Sequence, residues 1–99
     1  MRRAQADWDL TDIRFVLAVG RPYGVGTKAT QDHRFRVKVR DTVCDHLTER
    51  GIGFRTALKA AEHAVADKLA EPETVETVYL THRDLAAYVE QAKQRPVAS

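Results

Sequence analysis

The chain contains almost no cysteine and no long apolar run, and each absence excludes a class of protein. Cys44 is the only cysteine in 99 residues. An internal disulfide is therefore excluded, and a reducing, cytoplasmic setting is the simplest expectation. The most apolar stretch, Ile13–Gly20, contains Arg14 and is far shorter than the ~20 residues that a transmembrane helix needs. We expect a cytoplasmic protein with no membrane partner.

The sequence also lacks the residue spacings that identify common catalytic and cofactor sites. In the loop Gly24–Lys28 the threonine precedes the lysine, whereas a phosphate-binding loop needs Gly-Lys followed by Ser or Thr. Cys44 and His46 would point about 200° apart around a helix, so they cannot easily share a metal ion. No pair of acids stands out as a general acid and base. We therefore expect no enzymatic activity, no cofactor and no metal.

Length and charge indicate one folded domain with a basic first half. The 99 residues are 43% hydrophobic and 30% charged, which is ordinary for one globular domain with tails at 1–7 and 94–99. Residues 1–40 hold nine Lys and Arg and four Asp and Glu, a net charge of +5, whereas residues 41–99 are net acidic. A basic half favours a surface that attracts polyanions, although an uneven solvated surface gives the same count.

The segment Arg34–Arg40 alternates cations with apolar residues. In an extended strand this alternation would place four cations on one face and three apolar side chains on the other. A helix is the alternative, because the apolar residues around this segment are also spaced by four. These residues are Phe35, Val39, Val43 and Leu47. We predict a strand to about Val39, followed by a helix from Asp41 or Thr42 to Gly51.

The rest of the chain predicts three further helices and one further strand. A first helix begins at the Asp9 cap and ends near Gly20, with a buried strand over Ile13–Val19 as its alternative. Residues 20–33 are predicted to form a loop, where Arg21 and Lys28 could contact a partner. A helix over 54–69 has the clearest apolar stripe, a strand follows over 74–80, and a last helix begins at a Thr81 capping box. The fold class is therefore mainly α with a small β component.

The segment Thr42–Val65 resembles the helix-turn-helix unit of DNA-binding regulators, including winged-helix and MerR-like proteins. Gly51 can end the first helix in a left-handed conformation, and Ile52 would then fill the corner of the turn. The element order up to the second strand is that of a winged helix. The last helix stands where the returning wing strand would be, so the resemblance implies an incomplete wing. A glycine between two amphipathic helices is also typical of ordinary helical hairpins.

The resemblance implies double-stranded DNA as the partner and a homodimeric transcriptional regulator of bacterial or phage type. The basic strand would hold phosphates, and the helix over 54–69 would lie in the major groove with Glu62 turned away from phosphate. The alternative is a protein-binding adaptor, antitoxin or inhibitor that engages its partner through the edge of the basic strand. The last helix is a candidate dimer surface, and its alternative role is packing onto the predicted first helix. The predicted nucleic-acid contacts are Arg34, Arg36, Lys38, Arg40, Arg55, Thr56 and Lys59.

Overall fold

The structure is a computed structural model that describes residues 16–71 and 74–94. These residues form three helices and a two-stranded antiparallel sheet, which confirms the predicted α+β class. The predicted Asp9 cap and the first part of the predicted first helix lie outside the described residues. The elements are β1 (Val16–Gly20), α1 (Lys28–Glu49), α2 (Phe54–Lys68), β2 (Thr77–Thr81) and α3 (His82–Lys93).

The basic segment is helical, so the predicted strand over 34–40 is wrong. It lies within α1, which begins six residues earlier at Lys28, after the Thr27 cap whose hydroxyl accepts a hydrogen bond from the Thr30 amide. The four-residue repeat decides the outcome, because Phe35, Val39, Val43 and Leu47 are all completely buried. A strand would have buried Val37 as well, and that side chain is only half-buried.

The turn between α1 and α2 has the form expected around Gly51. This glycine has a φ of 98°, the Ile52 amide donates to the Leu47 carbonyl, and the Gly51 amide donates to the Thr48 carbonyl. These two bonds define a Schellman cap, which satisfies carbonyls at the end of α1. Ile52 is 4% exposed and fills the corner, as the sequence predicts.

α2 returns alongside α1 in the opposite direction. The guanidinium of Arg36 donates to the Leu69 carbonyl at 2.7 Å, so the end of α2 lies beside the first half of α1. At 1.5 Å per residue, α1 covers ~21 Å from Arg36 to Arg50, and α2 covers ~24 Å from Gly53 to Leu69. Two stretches of nearly equal length can meet at their far ends only if they run side by side. The pair is therefore an antiparallel hairpin, the second of the two interpretations that the glycine turn allowed.

α2 packs between α1 and α3 through a face made of alanine. Small side chains allow helix axes to approach closely, and α2 contacts both neighbours along its length. The buried residues of α2 are Ala57, Ala60, Ala61 and Ala64. The structure confirms the helix predicted over 54–69, with its end one residue earlier.

The sheet joins the first described element to the segment that precedes α3. β1 pairs antiparallel with β2, with Leu17 opposite Leu80 and Val19 opposite Val78 on the side that faces the helices. For the described residues of this segment, the structure confirms the alternative prediction of a strand and not the predicted first helix. Branched residues explain the outcome, because they pack well on a pleated surface. The strand predicted over 74–80 is present as β2, shifted towards its end.

α3 begins at the predicted capping box. The Thr81 hydroxyl accepts from the Asp84 amide, and the Asp84 carboxylate accepts from the Thr81 amide. The apolar residues of α3 pack inside the protomer, and the Tyr88 hydroxyl donates to the Asp67 carboxylate of α2 at 2.6 Å. The stripe predicted as a dimer surface is thus occupied by packing, with Leu85, Tyr88 and Val89 buried and Ala92 half-buried.

Candidate nucleic-acid interface

The four cations of the basic segment do not share a face. In α1, Arg34 and Lys38 lie on one side, and Arg36 and Arg40 lie about 200° away around the helix axis. The buried stripe headed by Phe35 lies between the two pairs. The predicted single phosphate-binding face of four cations is therefore wrong, because helical geometry divides it into two pairs.

The two pairs also have different partners. Arg34 donates to the Val25 carbonyl at 3.0 Å, so it supports the loop before α1, and Lys38 is exposed. On the other side, Arg36 binds the Leu69 carbonyl and Arg40 contacts its neighbour Asp41 at 3.1 Å. The side that carries Arg36 and Arg40 faces α2, and these two are the cations that can combine with those of α2.

The exposed side of α2 carries the second set of predicted contacts. Arg55, Lys59 and Glu62 are exposed and lie opposite the alanine face, as the helical pattern predicts. A groove of about 370 Å³ runs between this side of α2 and the end of α3. Its lining residues are Arg55, Thr56, Leu58, Lys59, Glu62 and Ala92.

A second groove lies between α1 and α2, and it adjoins the first. It has a volume of about 260 Å³, and Glu62 lines both grooves. Glu62 therefore lies where the two grooves adjoin, and its orientation away from phosphate stays a prediction. The lining residues of this groove are His33, Arg36, Val37, Arg40, Glu62, Val65 and Ala66.

Together the two grooves form one surface, which we name the α2 face. It carries Arg36, Arg40, Arg55 and Lys59, with Glu62 as the one carboxylate that lines both grooves. Its net charge is positive, and its cations come from two helices that the Gly51 turn folds together. Sequence reasoning missed His33 as a member of the α2 face. Its helical spacing from Arg36 and Arg40 was a signal, but only once the segment is known to be a helix.

Arg21 is a structural residue and not a free cation of the loop. Its guanidinium pairs with Asp32 at 2.8 Å, donates to the Val75 carbonyl at 3.1 Å, and lies 4.7 Å from the centroid of the Phe35 ring. These contacts join the loop, α1 and the start of β2. Two of the three guanidinium nitrogens of Arg21 are thus engaged inside the protein, while Nη2 is buried without a hydrogen-bond partner, so a contact of Arg21 with a partner stays a prediction.

Three residues with reactive side chains, Cys44, His46 and His82, do not line the α2 face. Burial raises the pKa of the Cys44 thiol, and the carboxylates of Asp45 and Asp41 raise it further, which disfavours a nucleophilic thiolate. Burial lowers the pKa of His46, whose ring lies 6.0 Å from that of His82. Within residues 16–71 and 74–94, no three His, Cys, Asp or Glu side chains group as a metal site, and no helix is long and apolar enough to cross a bilayer.

No family model, no curated protein and no solved structure matches this chain. The chemistry of the α2 face therefore carries the functional argument.

Proposed function

We propose that the protein binds double-stranded DNA through the α2 face. The observation that carries this proposal is that Arg36 and Arg40 of α1 line one groove, and Arg55 and Lys59 of α2 line a second groove that adjoins it at Glu62. Clustered cations supply the main part of nucleic-acid affinity, because each neutralised phosphate releases bound counterions. Arg34 and Lys38 lie outside this contact, on the far side of α1.

The N-terminal turn of α2 is the part of this surface that can reach base edges. The major groove is about 12 Å wide and admits one helix, whereas α2 has α1 and α3 packed along its sides. Its first turn carries Arg55 and Thr56, and the preceding Gly53 makes no side-chain cap that would cover the free amides. Arg55 and Thr56 would then contact bases, while Lys59, Arg36 and Arg40 contact phosphates.

This proposal is a modified form of the winged-helix interpretation. β1 takes the place of the short strand, α1 and α2 that of the helix-turn-helix pair, and β2 that of the strand which opens the wing. The helices of a helix-turn-helix meet at about 90–120°, whereas α1 and α2 run antiparallel. An approach in which the duplex lies along the α2 face, with the first turn of α2 over the major groove, accommodates this difference and keeps Arg36 and Arg40 on the DNA side.

The biological role that fits base recognition by the first turn of α2 is that of a homodimeric transcriptional regulator. One helix turn reads too few bases for useful specificity, and two copies double the site. The alternative function was a module that binds a protein partner through the edge of a basic strand. It is no longer supported, because residues 34–40 form a helix and not a strand.

A salt series with a random duplex tests the proposal. Fluorescence anisotropy should show an affinity that falls steeply with salt, and Lys59→Ala and Arg40→Ala should each reduce the slope of log K against log salt by about 0.9. Lys38→Ala is the matched control, since it removes a cation from the other side of α1 and should leave the slope unchanged. No binding at low salt, or equal effects of all three substitutions, would sink the proposal.

A sequence-selection experiment tests whether the first turn of α2 contacts bases. Arg55→Ala should change base preference, whereas Lys59→Ala should weaken all sequences about equally. If Arg55→Ala also weakens all sequences equally, the first turn of α2 does not contact bases.

A further inference from the structure

A separate cavity lies at the start of α1, between the loop 21–27 and the start of β2. Its volume is about 380 Å³, within the range of sites that hold a single small ring system. None of its lining residues belongs to the α2 face. They are Gly20, Arg21, Pro22, Tyr23, Gly24, Gln31, Glu76 and Thr77.

The loop beside the cavity is held by its backbone. The side-chain amide of Gln31 donates to the Gly26 carbonyl at 3.1 Å, and the guanidinium of Arg34 donates to the Val25 carbonyl. Gly26 has a φ of 124°, and a Cβ on Gly24 would collide with the Arg34 guanidinium. Side chains of α1 and two glycines thus set the loop conformation, without help from the large side chains at its tip.

Those side chains are left entirely in solvent. Tyr23 is 101% exposed and Val25 is 84% exposed. A fully exposed aromatic ring adds nothing to the stability of the fold. Because the backbone of this loop is already ordered, the ring can stack on a ligand without the entropy cost of ordering the loop. Because Tyr23 also lines the cavity, its ring is available to a flat ligand that enters there.

The polar groups of the cavity select the kind of ring. Arg21 is paired with Asp32 through Nη1 and keeps a buried Nη2 without a hydrogen-bond partner, and Glu76 and Thr77 bring a carboxylate and a hydroxyl to the same lining. A carboxylate repels phosphate and accepts a hydrogen bond from an exocyclic amino group, the contact by which acidic side chains recognise cytosine N4.

We infer that this cavity binds an unpaired, amino-bearing nucleobase, cytosine foremost, which stacks on Tyr23 and donates to Glu76. Stacking on an exposed aromatic ring is a general device for holding single-stranded nucleic acid. The biological ligand, an unpaired stretch of DNA, rests on the proposed function. The site itself recognises a base without its phosphate and can be tested apart from the α2 face.

Nucleosides are the appropriate probes, because they carry no phosphate. In a titration of ¹⁵N-labelled protein followed by NMR, cytidine should shift the amides of Tyr23, Gly24 and Thr77, and uridine should do so less. Tyr23→Ala should weaken cytidine binding about tenfold, which is the scale of one lost base stack. Glu76→Gln should remove the preference for cytidine, because a carboxamide can also donate to the carbonyl of uridine.

Two control variants distinguish binding in this cavity from stacking on any exposed tyrosine and from binding to the α2 face. Tyr79→Ala removes another exposed tyrosine that does not line the cavity, and it should leave cytidine binding unchanged. Lys59→Ala should weaken duplex binding and leave nucleoside binding unchanged. The inference is overturned if cytidine shifts none of the three amides, if cytidine and uridine bind the wild type equally, or if Tyr23→Ala and Tyr79→Ala have equal effects.

Discussion

The guanidinium of Arg36 donates to the main-chain carbonyl of Leu69 at 2.7 Å and so connects α1 to the end of α2. Arg36 is half-buried, and the carbonyl it satisfies belongs to the residue that caps α2. The bond orients α2 antiparallel to α1 and thereby creates the groove that the two helices share.

Arg36→Ala should lower the free energy of unfolding by about 1–2 kcal/mol, because it removes a hydrogen bond from a charged donor and leaves the carbonyl with a poorer partner. Urea denaturation measures this change. Lys38→Ala, at an exposed position of the same helix, should change the free energy of unfolding by less than about 0.5 kcal/mol. Equal losses in both variants would show that the bond contributes nothing to stability.

Gly51→Ala should destabilise the protein by about 1–2 kcal/mol, since Gly51 has a φ of 98° that side chains with a Cβ adopt only at a cost. Gly53→Ala is the matched control. Gly53 has a φ of −60°, no atom lies within 4 Å of an added Cβ, and its substitution should change stability by less than about 1 kcal/mol. Thermal unfolding of the two variants compares them directly, and a larger loss at Gly53 would contradict the Schellman cap.

Tyr88→Phe should cost about 1 kcal/mol, because it removes the hydrogen bond from the Tyr88 hydroxyl to Asp67 that joins α3 to α2. Burial, and then that hydrogen bond, raise the pKa of Tyr88, so its hydroxyl is a donor across the physiological range. Tyr79→Phe changes an exposed tyrosine and should be neutral in the same urea titration. A neutral Tyr88→Phe would show that the hydroxyl finds an equally good partner in water.

Stability should fall as the pH drops through about 6.5, the ordinary pKa of an unfolded histidine. Burial lowers the pKa of His46, and the charges of Arg50 and His82 lower it further. The unfolded chain then binds a proton that folded His46 resists, so the contribution is fully present above 6.5 and is lost below it. Urea unfolding at pH 7.5 and 5.5 should show a smaller difference in His46→Gln than in the wild type. His63→Gln, at an exposed position of α2, should keep the wild-type difference; identical differences in all three proteins would rule out His46 as the source.

Glu62→Gln should strengthen duplex binding roughly threefold, because it removes the carboxylate that lines both grooves of the α2 face. Anisotropy at one fixed salt concentration measures the gain. Glu90→Gln removes a carboxylate from an exposed position of α3 that lines neither groove, and it should have no such effect. A gain of the same size in both variants would mean that only total charge matters.

Local signals in the sequence were enough to predict the parts of the fold that local chemistry controls. Gly51, the alanine-rich stripe of α2 and the Thr81 capping box each specify their structure within a few residues. The segment 34–40 could not be decided locally, because Phe35 and Val39 satisfy a period of two and a period of four equally well. The continuation of the repeat to Leu47, which is completely buried in the shared core, selects the helix.

The candidate site was less predictable than the fold. Arg55, Thr56 and Lys59 were found because they lie on one helix, where spacing alone decides the shared face. The contribution of Arg36 and Arg40 depends on the antiparallel return of α2, which is a tertiary relationship. The place of Glu62 beside residues of α1 could not be predicted for the same reason, since its neighbours across that groove belong to another helix.

The pairing of β1 with β2 has a consequence for the order of folding. The strands that meet at Val16 and Thr81 flank all of α1 and α2, so they cannot form as a local hairpin. The entropy of closing so long a loop is offset only after the two helices have already drawn the strands together. Substitutions in the helical hairpin should therefore slow folding, whereas substitutions in the sheet should chiefly accelerate unfolding.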